Sequence, residues 1–218
     1  MRTTVLCAVM AGLAAWGVAL ADYPASDSPA GVSEDSCAML ENGMVPETFG
    51  VDPSLVSYRR SVPVKSVGHV VCSASWENPD KAAMDAAYMQ KLQDWTRNNA
   101  TGKKAPMPKP PNSVAQVSVT LVATHFDSPA AAIASLEDAV ATLAKGVKVN
   151  VGGKEYEKKA SFGDWLDNVG DKAIFSDSGE LLVADDGKRF SVIVRVSGDP
   201  DTDREHAIAL AAKIMETM

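Results

Sequence analysis

Cysteine is scarce in this chain, with three residues in all. Histidine is equally scarce at three, and aromatic residues make up 6%. Few aromatics leave no advertised platform for stacking bases or sugars. The balance of Lys and Arg against Asp and Glu is 21 to 28, so a positive excess is missing too. The net charge of −7 gives no electrostatic reason to seek nucleic acid or an anionic membrane. Long apolar stretches are absent after the first twenty or so residues, which leaves no second candidate for a membrane span. Nucleophile elbows of the G-x-S-x-G type are also missing.

What is present begins at the N-terminus, with Arg2 ahead of an apolar stretch from Val5 to about Leu20. It closes on Ala19-Leu20-Ala21, the small-x-small pattern that signal peptidase cuts. The expectation is a signal peptide over residues 1–21, a flexible Pro/Ser leader over 22–33, and one α+β domain over 34–218. The competing reading is an uncleaved membrane anchor, but Gly12 and Gly17 dilute a stretch barely long enough to span. Removing Arg2 with the signal would take the charge from −7 to −8.

Cys7 would leave with the signal, so Cys37 and Cys72 remain as an even pair. In an oxidising compartment such a pair reads as one disulfide. The chain-entropy model puts the effect of closing that loop at about 3.8 kcal/mol. The rival, a reactive thiol pair, lacks a C-x-x-C spacing and nearby basic residues. The stretch "GHVVCSASWE" alternates as a strand, with Val70, Cys72, Ala74 and Trp76 on its apolar side. Cys72 thus points into the core, where a helix bearing Cys37, Leu40 and Met44 is expected to cover it.

Further along, Asn78-Pro79 reads as a cap opening a helix with Met84, Tyr88, Leu92 and Trp95 at helical spacing. A Pro/Lys-rich loop follows over residues 101–112. "VAQVSVTLVATHF" alternates as the clearest strand. Ser128-Pro129 opens a helix whose stripe is Ile133, Leu136, Val140 and Leu143, stopped by Gly146. Hairpins are expected around Gly152-Gly153 and around Asp185-Asp186-Gly187. The last helix shows Ile208, Ala211, Ala212 and Met215 as its stripe. Strands arranged as hairpins and meanders, with helices between them, predict an α+β fold: a mostly antiparallel sheet with helices packed on it.

A helix bearing a cysteine, a strand ending C-x-x-x-W, and "VGDKAIFSDSGELLVADDGKRFSVIVRV" before a terminal helix carry a resemblance. The chain resembles a group of small secreted bacterial proteins and lipoproteins of unknown function, abundant in actinobacteria. That group is similar in build to the PsbP-like α/β/α sandwich. The matching positions are Cys37, Cys72, Trp76, Gly170, Asp171 and Ala173. The chain departs from the group in lacking a lipobox and in its Pro/Lys loop. The resemblance implies a fold and an extracytoplasmic setting. It transfers no catalytic residue, because PsbP-like domains mostly act as accessory or binding modules.

The remaining chemistry is sparse. "VGGKE" fails the phosphate-loop pattern, since Glu155 follows Lys154. His69, His125 and His206 show no ligand spacing. Asp164, Asp167 and Asp171 do not follow the calcium-loop pattern and read as turn residues. No metal, no cofactor and no catalytic residue is assigned. The sequence therefore predicts a periplasmic or secreted, non-enzymatic accessory or binding domain. Its partner would be a protein or a small ligand, with no nucleic acid and no membrane insertion after signal cleavage. The contact surface is expected at Phe162, Trp165 and Asp171, in a loop over residues 162–171, together with the loop over 101–112. The alternative is a secreted hydrolase with a His/carboxylate site, its acid/base being His125 or a carboxylate in the Asp164–Asp171 loop.

Overall fold

The structure is a computed structural model that describes residues 34–61, 69–101, 105–108, 110–111, 114–122, 125–151 and 154–218. The expected signal peptide and leader, residues 1–33, lie outside the described residues. The fold is α+β, as the alternating strands and intervening helices predict. Seven antiparallel strands form one sheet, in the order β1-β2-β3-β9-β8-β7-β6. These are β1 (Ser57–Ser61), β2 (His69–Glu77), β3 (Val114–Val122), β6 (Phe162–Leu166), β7 (Lys172–Ser176), β8 (Glu180–Asp185) and β9 (Lys188–Arg195). A separate hairpin, β4 (Val147–Val151) with β5 (Lys154–Lys158), stands where the double glycine predicts it. Among the described residues the α-helices are α1 (Val45–Phe49), α2 (Lys81–Ala100), α3 (Pro129–Lys145) and α4 (Pro200–Thr217).

Residues directly opposite one another on neighbouring strands share a face. The register therefore assigns every side chain to one of two sides. On the first side lie Cys72 and Trp76 of β2, Val117 and Val119 of β3, Val192 and Val194 of β9, and Leu181 and Val183 of β8. Helix α4 covers them with Ala207, Leu210, Ala211 and Ile214. The segment from Cys37 to Phe49 covers the rest, with Leu40, Met44 and Val45 buried. Cys37 and Cys72 form a disulfide with a Cα–Cα distance of 5.3 Å. The bond ties this segment to the middle of β2.

On the second side α3 packs over β8 and β7, where Ala132 and Leu136 meet Ile174, Leu182 and Ala184. Arg189 is buried there and donates from Nη1 to the Ser135 carbonyl oxygen at 3.1 Å and to Ser135 Oγ at 2.6 Å. The β8–β9 hairpin turns on Asp186 and Gly187, both at positive φ, 43° and 73°. Glycine is needed at 187 because a Cβ there would sit 2.9 Å from the Phe126 carbonyl oxygen. The Asp-Gly pair is the two-residue turn that the twist of paired strands favours.

Several expectations need correction. The first helix is broken: a 3-10 turn (Glu34–Cys37) and a wide turn (Leu40–Met44) precede α1, because Asn42 and Gly43 leave helical dihedrals. Asn78 does not cap α2. Its Oδ1 accepts from the Asp80 amide and its Nδ2 donates to the Val196 carbonyl oxygen, so the helix starts at Lys81. Residues 162–166, expected to be loop, form the edge strand β6, with an irregular register between Phe162 and Trp165. That interruption hides the period-2 pattern. The buried stripe of α4 is turned by about one position, leaving Ala212 exposed. Two apolar stripes lie side by side on this helix, and the sheet takes the one holding Leu210 and Ile214. In α3, Ser135 joins the stripe as the partner of Arg189, and Ile133 and Val140 are only half-buried.

Candidate functional site

The three residues expected to make contacts are spread along one sheet edge. Trp165 is 39% exposed on β6, with Lys172 Nζ 4.4 Å from its ring centroid. Lys172 also pairs with Glu137 of α3. Phe162 is half-buried against the α3 cluster. Asp171 is exposed beyond the other end of β6, and its Oδ2 accepts from the Asp186 amide at 2.9 Å. That bond fastens one turn to the next, as the turn reading of this aspartate implies. The loop over 101–112 is described only at residues 101, 105–108 and 110–111. It connects α2 to β3, and four strand spacings separate β3 from β6, about 19 Å. Where the loop is described, it folds back on α2, with Trp95 Nε1 donating to the Ala105 carbonyl oxygen at 2.7 Å.

His206 stands apart from His69, whereas His125 follows by three residues Val122, the register partner of His69. His69 begins β2 and faces the second side. His206 lies on the first side, edge-on to Phe49 at 5.2 Å, and Phe49 contacts Trp76 at the other end of β2. Seven residues of extended chain between His69 and Trp76 span about 23 Å. His125 is exposed between β3 and α3. Among the described residues, no group of three or more His, Cys, Asp or Glu is arranged to hold a metal ion. No described helix is long and apolar enough to cross a membrane.

Among the described carboxylates with a resolved shift, Asp185 is the one whose pKa is raised. Desolvation raises its pKa first, and the neighbouring charges of Asp171 and Asp186 add to the rise, while Lys188 opposes it. A raised carboxylate pKa means the folded state holds its proton more tightly than the unfolded chain. This site's contribution to stability is then complete below the ordinary carboxylate pKa and is lost as pH rises through the folded value. Replacing Asp185 by Asn is expected to raise the melting temperature at pH 7, with the gain vanishing near pH 3. Thermal melts at the two pH values check it, and an equal gain at both would contradict it.

The least expected feature is the part of the second side that α3 leaves open. Across β1, β2, β3 and β9 the register lines up Ser57, Ser75, Gln116 and Arg195 in one row. The next row holds Arg59, Ser73, Ser118 and Ile193. Ser73, Ser75, Gln116, Ser118 and Thr120 stay half-exposed. None of these five makes a side-chain hydrogen bond among the described residues. Helix α2 has no fully buried residue, and its expected stripe of Met84, Tyr88, Leu92 and Trp95 is half-buried. The signal was legible in the alternation, since Ser73, Ser75, Gln116, Ser118 and Thr120 are the off-beat positions of two strong strands. A solvated face explains such a pattern equally well from sequence. Only the register shows that the polar positions of four strands adjoin.

Compared with known proteins, the chain matches no family model, no curated protein and no solved structure.

Proposed function

We propose that the chain is an exported, non-enzymatic binding module, and that the open half of the second sheet face is its contact surface. The observation that carries this reading is the grid of unused hydrogen-bonding groups at Ser73, Ser75, Gln116, Ser118 and Thr120. The hydroxyls and the amide each both donate and accept, so the grid can meet a polar ligand of mixed character. The disulfide is compatible with an oxidising compartment outside the cytoplasm. The residue pattern at Cys37, Cys72, Trp76 and Gly170 supports the PsbP-like likeness, in which accessory and binding roles predominate.

The test is native purification of the exported protein followed by mass spectrometry of what accompanies it, for wild type and for Ser118→Leu. Ser118 is half-exposed at the centre of the grid, so the variant should fold with a stability change within about 0.5 kcal/mol. The reading expects a companion held by wild type and lost in the variant. A companion held equally by both, or none at all, contradicts it.

A further inference from the structure

The arginines of this face point to the chemistry of what binds there. Among the described residues, Arg60 is paired with Glu41, Arg97 with Asp94 and Arg204 with Asp201, while Arg189 is bound to Ser135. Arg59 and Arg195 alone have neither an ion pair nor a side-chain hydrogen bond. Both are exposed. Arg59 lies opposite Ser73, and Arg195 lies opposite Gln116, which places both on the open second side. Three strand spacings and two residues separate them, about 16 Å between backbones. Between them lie Ser73, Ser75, Gln116 and Ser118. Glu77, at the margin of the grid, is paired with Lys81 at 3.6 Å and does not neutralise either arginine.

In a chain of net charge −7, carboxylates outnumber cations. Two arginines left without one, on one face, flank a patch of hydroxyls and an amide. A guanidinium presents a planar fork that matches carboxylate and phosphate oxygens. Hydroxyls and amides that both donate and accept match sugar hydroxyls. We propose that the open half-face binds an acidic polysaccharide, with Arg59 and Arg195 gripping two of its anionic groups and the serine–glutamine grid holding the sugar hydroxyls between them. This deepens the binding-module reading and rests on it. Among the described strand residues, the only ring that the register places on this part of the face is that of His69, at the start of β2, so recognition runs through hydrogen bonds and charge rather than stacking.

The test is titration of the full mature protein with polygalacturonate, with neutral dextran and with double-stranded DNA. Variants are Arg59→Ala, Arg195→Ala, the double variant and Arg97→Ala. Polygalacturonate is expected to bind wild type and Arg97→Ala alike. Each single variant on the face should weaken binding about tenfold, the usual size for losing a hydrogen bond to a charged group. The double variant should abolish it. The substituted positions are exposed, and superimposable circular dichroism of the variants separates lost binding from misfolding. Unchanged binding in the double variant overturns the inference, and so does no binding of polygalacturonate to wild type. Equal binding of dextran removes the role of the arginines, and equal binding of DNA removes that of the hydroxyl grid. If polygalacturonate fails while the co-purified companion is still lost in Ser118→Leu, the ligand class is wrong and the binding surface stands.

Discussion

Replacing both Cys37 and Cys72 by serine is expected to lower the melting temperature by about 8–15 °C. The chain-entropy model assigns the bond about 3.8 kcal/mol. For a domain of this size each kcal/mol moves the melting temperature by about 2–4 °C. Entropy is not the only cost. Both sulfurs are buried, and two hydroxyls in their place would need hydrogen-bond partners in an apolar cluster of Leu40, Val70 and Val119. The bond also holds a segment with little regular structure of its own, since the chain from Glu34 to Met44 is two irregular turns. Without it, that cover of the sheet depends on the packing of Leu40, Met44, Val45 and Phe49 and on the exposed Glu41–Arg60 pair. Circular dichroism melts of the double variant beside wild type measure the effect. A shift under about 2 °C would show that the bond constrains little.

Leu210→Ala is expected to cost about 2–5 kcal/mol, the range for emptying a fully buried leucine site. Leu210 is 0% exposed on α4, and its neighbours Ala207, Ala211 and Ile214 are equally buried. The helix presses these residues on the central strands β9 and β8, which are already filled by valines that cannot expand into a void. Leu55 serves as the control. It is 64% exposed, so Leu55→Ala should stay within about 0.5 kcal/mol. Urea denaturation midpoints compare the two. Equal small effects would mean that α4 does not form the lid of the first side.

The strands were largely legible because their signal is local. "GHVVCSASWE" and "VAQVSVTLV" alternate without interruption, and they became β2 and β3 with Cys72 turned inward. Asp-Gly at 186–187 named its own turn through its need for positive φ. The failures have physical causes. β6 carries an irregularity between Phe162 and Trp165, so its period is broken and it looked like loop. On α4 two apolar stripes compete, and only the sheet decides between Ile208 and Leu210. Arg189 gave no warning that it would be buried, because its partner Ser135 is 54 residues away in sequence. The half-face lay in plain view as off-beat serines. It reads as a candidate surface only once the register places Arg59 and Arg195 on the same side, and that information is carried by pairing between distant strands rather than by any one of them.

The division of labour between the two sheet faces is the claim on which the functional reading turns. Amide chemical-shift mapping of the isotope-labelled protein, titrated with polygalacturonate, examines it most directly. The account expects shifts concentrated on Ser73, Ser75, Gln116, Ser118 and Arg195, with α4 and the surroundings of Cys37 silent. Shifts centred instead on β6 around Trp165, or spread over α4, would contradict it.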